Sequence, residues 1–324
     1  MTDPSHPHSV RTNLLFFRRR TRKGRGEEPH GPRAAQPHQA TWPPGGGHET
    51  ANGVQPRLIP LVVLPCVFSP LSNDLQLPAL TDREVQVWYA LTSGPADPAE
   101  AEFCRRLLDP EEVQRHAAFL NPRAQAEYLA TRALVRTLLG RILNAAPEAL
   151  RFRKNQFGRP ELFDSNAAHP LQFNVSHSAG LIACAVAWRR EIGLDVESTV
   201  GAPIEEDVPR RNFSPVEFAD YLGQPTPAAR HRRFLEYWTL KESYLKARGT
   251  GLSLPTNKFT CRWSRPREVD LTLDPIFQDD AATWQLRLLQ PPLDFVAALA
   301  VRVTDGASVG IAELWATPLS LAQT

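Results

Sequence analysis

The chain has 324 residues, 42% of them hydrophobic and 22% charged, with a formal net charge of +2. This length suits one large domain or two domains of roughly 150 residues each. The balanced charge argues against a general nucleic-acid-binding protein. Four scattered cysteines without a Cys-x-x-Cys pair argue against disulfides or structural zinc and predict a cytoplasmic protein. No apolar run reaches the roughly 18 residues of a membrane span.

The first eighty residues differ from the remainder in composition. Residues 1–60 hold nine of the 30 prolines and nine Lys or Arg against four Asp or Glu. Such a segment cannot bury enough apolar surface to offset its chain entropy. We expect residues 1–80 to form a disordered, Pro/Arg-rich extension. A nucleic-acid-binding arm, a targeting presequence and a stretch upstream of the true start are the alternatives.

Order is predicted to begin with a strand over residues 85–91, where apolar and polar residues alternate. Residues 100–120 are predicted to be helical, with Asp109 capping a second helix. A longer helix is predicted over residues 123–143, with Arg132 at the edge of its apolar arc. Arg132 is therefore either a surface arginine lying along apolar neighbours or a cation at the rim of a cleft.

Three consecutive strands, forming an antiparallel meander, are predicted over residues 171–175, 181–188 and 192–197. The middle one is almost continuously apolar, as expected for a strand covered on both faces. In the third, the period of two places Asp195 and Glu197 side by side on one face. Their repulsion requires a cation, a proton or water. The pair is either a solvated edge or part of a Mg²⁺ site.

A turn of small and polar residues, Ser-His-Ser-Ala-Gly at 176–180, joins the first two of these strands. His177 is either a turn residue that bonds to the backbone or, together with Ser176, a donor to a phosphate. The sequence has no Gly-x-Ser-x-Gly elbow, which argues against a Ser-His-Asp hydrolase.

Residues 229–248 predict an amphipathic helix that ends at Gly249. Glu242 falls inside its apolar arc, flanked by Lys241 and Lys246. An unpaired buried glutamate costs several kcal/mol. Glu242 is therefore either paired with Lys246 four residues on or a third metal ligand beside a lysine. Three carboxylates with basic neighbours indicate phosphate or pyrophosphate chemistry, without distinguishing transfer from hydrolysis.

An ordered series of motifs carries a resemblance to a known family. The motifs are Phe-Gly-Arg-Pro at 157–160, Phe-Asn-Val-Ser-His-Ser at 173–178, Ile-Gly-Leu-Asp-Val-Glu at 192–197, Phe-Ser-Pro-Val-Glu-Phe at 213–218, Trp-Thr-Leu-Lys-Glu-Ser-Tyr-Leu-Lys at 238–246 and Gly-Thr-Gly-Leu-Ser-Leu-Pro at 249–255. Together they resemble the 4′-phosphopantetheinyl transferases of the large, single-chain, surfactin-synthetase-activator type. Each motif alone is weak, and their order and spacing are specific.

The resemblance implies transfer of the 4′-phosphopantetheine arm of coenzyme A to a serine of an apo acyl, peptidyl or aryl carrier protein, with release of adenosine 3′,5′-bisphosphate. It implies Mg²⁺, with Mn²⁺ as the alternative metal. It further implies an α/β fold with two similar halves, residues 85–190 and 191–318, related by a pseudo-two-fold axis, with coenzyme A in the cleft between them. Such a chain can act as a monomer. The rival functions are a metal-dependent nucleotide hydrolase and an inactive carrier-binding scaffold.

The same resemblance assigns expected roles to single residues. Asp195, Glu197 and Glu242 match metal ligands, and Glu242 also matches the group that deprotonates the carrier serine, directly or through water. Lys246 matches a phosphate contact that protonates the leaving phosphate. The remaining expected coenzyme A contacts are Arg132, Arg159, Ser176, His177 and Lys241, with His177 near the 3′-phosphate. Arg115 and Arg123 align only loosely with further basic residues.

Overall fold

A computed structural model describes residues 78–92, 98–163, 170–202, 204–249, 254–292, 294–303, 306 and 308–316. They all belong to one compact unit, residues 73–324. The predicted extension over residues 1–80 lies outside the described residues, apart from its last three. In the described part of the chain, no helix is both long enough and apolar enough to cross a membrane.

Helices and strands alternate irregularly along the described residues, and the predicted α/β class is confirmed. The helices are α1 (Pro98–Arg106), α2 (Pro110–Ala117), α3 (Pro122–Leu143), α4 (Asp207–Asn212), α5 (Pro215–Leu222) and α6 (Pro227–Arg248). The strands are β1 (Glu84–Leu91), β2 (Phe152–Lys154), β3 (Pro160–Leu162), β4 (Leu171–Ser178), β5 (Leu181–Trp188), β6 (Ile192–Ser198), β7 (Phe259–Arg265), β8 (Glu268–Leu273), β9 (Trp284–Leu288), β10 (Phe295–Arg302) and β11 (Gly310–Trp315).

Local signals in the sequence set the ends of the main helices. Asp109 caps α2 by accepting the N–H of Glu112, as predicted. Helix α6 starts after Thr226, whose side chain accepts an N–H of the first turn, and it ends at Gly249, which has a left-handed backbone with φ of 63°. The two long predicted helices are confirmed with boundaries within two residues.

Two sheets pack face to face between two layers of helix. The first has strand order β11-β1-β5-β4, and the second has the order β6-β10-β9-β8-β7. Apolar residues of β1, β5, β6 and β10 form one shared core between the sheets. Helix α3 packs on the outer face of the first sheet, and α6 lies against β6 and β10 of the second. The central strands β5, β6 and β10 are thereby buried on both faces, whereas β7, β8 and β11 remain partly exposed.

Strand β5 is apolar throughout because its two faces meet two different cores. Leu181 and Ala183 face the core between the sheets, whereas Ile182 and Cys184 face α3. This confirms the prediction of a strand covered on both faces. In β6, the predicted alternation is also confirmed, since Leu194 and its apolar neighbours at every second position enter the core between the sheets.

The predicted meander is wrong in its third strand. Strands β4 and β5 form a hairpin, but β6 pairs with β10 in the second sheet. Arg189 adopts a left-handed backbone, with φ of 57°, in the connection that separates β5 from β6. The last strand, β11, pairs in parallel with β1. The segment predicted as the second half therefore completes the sheet of the first.

Gly193 allows α6 to lie directly on β6. A Cβ atom at this position would stand 2.0 Å from the carbonyl oxygen of Ser243 and 2.3 Å from the backbone nitrogen of Ala247. Both are backbone atoms of the helix, so no side-chain rotation can make room. The missing side chain therefore determines how closely the helix approaches the strand that carries Asp195 and Glu197.

We expect Gly193→Ala to lower the free energy of unfolding by about 3 kcal/mol, because the helix must move away from the strand. Gly201→Ala is the matched control, since the space around Gly201 is open, and it should change stability by no more than about 0.5 kcal/mol. Urea denaturation of both variants measures the difference. Equal stability of the two variants would show that this contact can relax.

Candidate functional site

A ladder of side-chain hydrogen bonds joins the two sheets where β4 and β6 run side by side. Because β10 pairs with one edge of β6, alternate N–H groups of β6 face the other edge, where polar side chains of β4 accept them. The N–H of Leu194 donates to Asn174 Oδ1 (2.8 Å), that of Val196 to Ser176 Oγ (3.3 Å) and that of Ser198 to Ser178 Oγ (3.1 Å). We call this ladder the polar seam.

Two carboxylates of β6 are hydrogen-bonded to the same seam. Ser176 Oγ donates to Asp195 Oδ1 over 3.1 Å, and Ser178 Oγ donates to Glu197 Oε2 over 3.2 Å. Both acidic residues are almost completely buried. The seam therefore holds the strand by its backbone and the carboxylates by their oxygens.

Lys246 links helix α6 to this arrangement. Its ammonium donates to Asp195 Oδ1 (2.6 Å), Ser176 Oγ (3.1 Å) and the carbonyl oxygen of Leu194 (3.1 Å). These three bonds use all three of its protons. Its side chain remains 23% exposed, whereas that of Asp195 is 2% exposed. The lysine therefore lies at the outer side of the carboxylates, where a ligand could reach it.

The third carboxylate, Glu242, comes from α6 and is also buried. Burial and the charge of Asp195 raise the pKa of Glu242 to about 8, although Lys246 opposes the shift. Burial, Asp195 and Glu242 likewise raise the pKa of Glu197 to about 8. Burial also raises the pKa of Asp195. The three acidic groups are thus close enough for their charges to interact, and the single ammonium of Lys246 does not balance them.

The donor set suits a hard divalent cation. Asp195 Oδ2 is buried without a hydrogen-bond partner, and a buried carboxylate oxygen of this kind is a ligand that Mg²⁺ prefers. In the part of the chain that the structure describes, no three Asp, Glu, His or Cys side chains already converge as a formed metal centre. The ligand set Asp195, Glu197 and Glu242 therefore fits by chemistry and remains a prediction in its geometry.

Helix α3 holds His177 in place through Glu127. Its Nδ1 atom pairs with Glu127, which also accepts the backbone N–H of Gly180. These bonds and the charge of Arg123 hold the pKa of Glu127 below its usual range against the effect of burial. Arg123 also donates to the carbonyl oxygen of Ala179 (3.4 Å). Glu127 is not predictable from the sequence, because nothing in the pattern relates helix position 127 to His177, which the structure places in β4 rather than in the predicted turn.

Arg159 donates its hydrogen bonds to backbone carbonyl oxygens. Its Nη1 donates to Lys246 O (2.9 Å) and Ala247 O (3.1 Å), and its Nη2 donates to Ile192 O (3.1 Å) and Phe173 O (3.4 Å). The guanidinium thus caps the last turn of α6 and joins that helix to the starts of β4 and β6. Both terminal nitrogens of Arg159 are therefore already bonded to carbonyl oxygens, which argues against its predicted role as a phosphate contact.

Arg132 is paired within the first half of the chain. It binds the carboxylate of Glu112 and stacks over the ring of Phe152 at 4.6 Å. Glu112 also receives Arg136, which is fully buried. Arg115 lies 5.9 Å from the ring centre of Tyr128. None of these contacts brings Arg132 or Arg115 to the carboxylates of β6.

Lys241, predicted as a coenzyme A contact, lies instead in a separate buried cluster. Its ammonium donates to Glu217 Oε2 (2.8 Å), Thr256 O (2.8 Å) and Phe259 O (2.7 Å). The side chains of Lys241 and Glu217 are 1% and 0% exposed. All three protons are used and no surface faces a ligand. The cluster fastens α6 to the start of α5, where Glu217 completes a capping box, and to β7.

The fold and site define a class: an α/β protein with three buried carboxylates beside a partly exposed lysine. Two family models match the chain. That of the 4′-phosphopantetheinyl transferase superfamily matches residues 191–300, and that of the 4′-phosphopantetheinyl transferase N-terminal region matches residues 95–189.

Curated relatives agree with these matches. The 4′-phosphopantetheinyl transferase HetI of a Nostoc species is 32% identical over 68% of this chain and 89% of its own length. The transferase Sfp of Bacillus subtilis is 30% identical over 58% of this chain and 81% of its own. The solved holo-(acyl-carrier-protein) synthase of Thermotoga maritima covers 35% of this chain and 62% of its own at 21% identity, with a TM-score of 0.29. The chain belongs to the 4′-phosphopantetheinyl transferase superfamily.

We expect Lys241→Met to lower the free energy of unfolding by about 3–5 kcal/mol, because it leaves the Glu217 charge buried and unpaired. Adding Glu217→Gln should restore part of the loss. The Michaelis constant for coenzyme A should not change in the folded fraction. Lys258→Met, on an exposed lysine, is the control. If Lys241→Met instead raised the Michaelis constant for coenzyme A and left stability unchanged, Lys241 would belong to the ligand site.

Without divalent metal, Glu242→Gln should raise the free energy of unfolding by about 2 kcal/mol at alkaline pH. The folded protein raises the pKa of Glu242 from 4.5 to about 8. The cost of ionising it is therefore absent at low pH and grows as pH rises between about 5 and 8. Thermal unfolding in EDTA at several pH values measures this, with exposed Glu102→Gln as control. A gain that is equal at all pH values would contradict the electrostatic account.

Proposed function

We propose that this protein transfers the 4′-phosphopantetheine arm of coenzyme A to a serine hydroxyl of an apo carrier protein. Membership of the transferase superfamily supports the reaction class. The observation that carries the proposal is the group formed by Asp195, Glu197, Glu242 and Lys246, where β6 meets α6. It supplies buried acidic oxygens and a partly exposed ammonium, which together suit a diphosphate neutralised by a metal.

The reaction needs one proton acceptor and one phosphorus centre. The carrier serine oxygen bonds to the phosphorus that bears pantetheine, and the bond from that phosphorus to the bridging oxygen breaks. The departing adenosine 3′,5′-bisphosphate keeps the electron pair. In this proposal Glu242 takes the serine proton as a general base, directly or through a water molecule. The nucleophile thus belongs to the partner.

Asp195, Glu197 and Glu242 would hold the metal, Mg²⁺ or Mn²⁺, which supplies neutralisation of the diphosphate charge when bound. Lys246 stabilises the negative charge of Asp195 in its absence. Its partly exposed side chain can exchange one of its three bonds for a phosphate oxygen and donate a proton to the leaving group. Asp195 then keeps its place through Ser176.

The end of β4 and the turn that follows it are proposed to hold the phosphates at the adenosine end. His177, tied at Nδ1 to Glu127, can present its other nitrogen to the 3′-phosphate. Arg123 lies at the same turn and can add a second cation. In this proposal residues 85–190 supply the phosphate contacts and residues 191–318 the carboxylates. Arg159 and Lys241 build the site through backbone bonds and a buried ion pair.

The partner is proposed to be an acyl, peptidyl or aryl carrier protein of a fatty-acid, polyketide, non-ribosomal peptide or lysine-related pathway. Both the carboxylates and His177 lie on one chain, so a monomer suffices. A cytoplasmic location is supported by three buried free cysteines among the described residues, Cys104, Cys184 and Cys261, which suit a reducing compartment.

Asp195→Asn and Glu242→Gln should each reduce transfer by about 10²–10³-fold while the fold persists, because each removes an anionic oxygen that would hold the metal neutralising the diphosphate. The assay follows the mass shift of a panel of apo carrier proteins with coenzyme A and MgCl₂. Glu102→Gln, an exposed carboxylate, is the control. Full activity of either site variant contradicts the proposal. Consumption of coenzyme A without any carrier would indicate a hydrolase, and no consumption at all would indicate a scaffold.

His177→Ala should raise the Michaelis constant for coenzyme A about tenfold, because it removes one charge-assisted hydrogen bond to phosphate. The constant for 3′-dephospho-coenzyme A should stay as in the wild-type protein, since that substrate lacks the group contacted. Steady-state kinetics with both substrates measure the difference. An equal rise in the Michaelis constants for coenzyme A and 3′-dephospho-coenzyme A would place His177 away from the 3′-phosphate.

A further inference from the structure

Ser178 makes the same pair of hydrogen bonds as Ser176, two residues further along the polar seam. Its Oγ accepts the N–H of Ser198 over 3.1 Å and donates to Glu197 Oε2 over 3.2 Å. Ser176 accepts the N–H of Val196 and donates to Asp195. Each serine thus joins one carboxylate to the N–H of the residue that follows it. The repeat arises because both strands advance by two residues between rungs.

The chemistry of a hydroxyl makes this pair of bonds directional. A hydroxyl has one proton and two lone pairs. When the backbone N–H occupies a lone pair of Ser178, the Oγ atom is fixed relative to β6 and its proton is free to bond to Glu197. Glutamate has three side-chain torsions, and the bond restricts them. Among the described residues this is the hydrogen bond that orients the Glu197 carboxylate, which otherwise feels packing, repulsion from the other two carboxylates and the charge of Lys246.

Apart from the backbone pairing of β4 with β5, the described contacts of Ser178 are these two side-chain bonds. Both of its side-chain bonds go to the segment of Glu197 and Ser198, and neither goes to Lys246. It is only partly buried and is the last residue of β4, directly after His177. Its position at the rim indicates that the bond acts on the orientation of Glu197 rather than on the core.

We propose that Ser178 is a positioning residue that orients the Glu197 carboxylate for divalent metal. The proposal rests on the proposed function, because the metal-binding role of Glu197 belongs to it. Ser178 contacts neither the substrate nor the metal in this account and acts only through Glu197. Groups that orient a metal ligand typically change metal affinity by about 10–100-fold when they are removed.

The test measures Mn²⁺ binding to the whole protein by electron paramagnetic resonance in saturating coenzyme A without carrier protein. Ser178→Ala should raise the dissociation constant for Mn²⁺ about tenfold, while the Michaelis constant for coenzyme A changes less than about twofold. Ser178→Thr, which keeps the hydroxyl, should restore the affinity. Ser198→Ala is the matched control, because that hydroxyl bonds only to Val200.

The outcomes separate this inference from the function on which it rests. Wild-type Mn²⁺ affinity in Ser178→Ala, or equal losses in Ser178→Ala and Ser198→Ala, would overturn the positioning role alone. If Ser178→Ala fails to fold, Ser178→Thr decides: a folded threonine variant with weakened Mn²⁺ binding would overturn the proposal, and wild-type binding would support it. A wild-type protein that modifies no carrier would refute the proposed function instead.

Discussion

The site depends on how the free edge of β6 is satisfied. A buried N–H without a partner costs about 1–3 kcal/mol. Three N–H groups of β6, those of Leu194, Val196 and Ser198, face the edge opposite β10 and need partners there. Side chains of β4 accept all three, so the two sheets are joined by side chains rather than by a continuous strand ladder. The same serines bond to the carboxylates of Asp195 and Glu197. The connection between the sheets and the order of the site therefore have one cause.

This arrangement concentrates three acidic groups around one ammonium among the described residues. Three buried carboxylates face the one ammonium of Lys246, and the pKa values of Glu197 and Glu242 rise to about 8. Such a site destabilises the metal-free fold and favours ligands that bring positive charge. Close backbone contacts and hydrogen bonds hold the elements around it together. Gly193 lets α6 lie on β6, and Arg159 fastens the end of that helix to both strands.

Local patterns in the sequence predicted most elements near the site but not their assembly. The period of two placed Asp195 and Glu197 on one face, and the wheel of α6 placed Glu242 among apolar residues. Strand partners are long-range and leave little local trace, so the crossing of β6 into the second sheet was missed. Long-range pairs were missed for the same reason: Glu127 with His177, and Glu217 with Lys241, which removes that lysine from the expected contacts.

The central claim is that carboxylates from β6 and α6 share one divalent cation at the polar seam. Crystals grown with coenzyme A and MnCl₂ test it directly by anomalous diffraction at the manganese edge. The account predicts one strong peak within about 2.6 Å of oxygens from Asp195, Glu197 and Glu242. A peak bound elsewhere, or none beside these residues while coenzyme A is present, would contradict it.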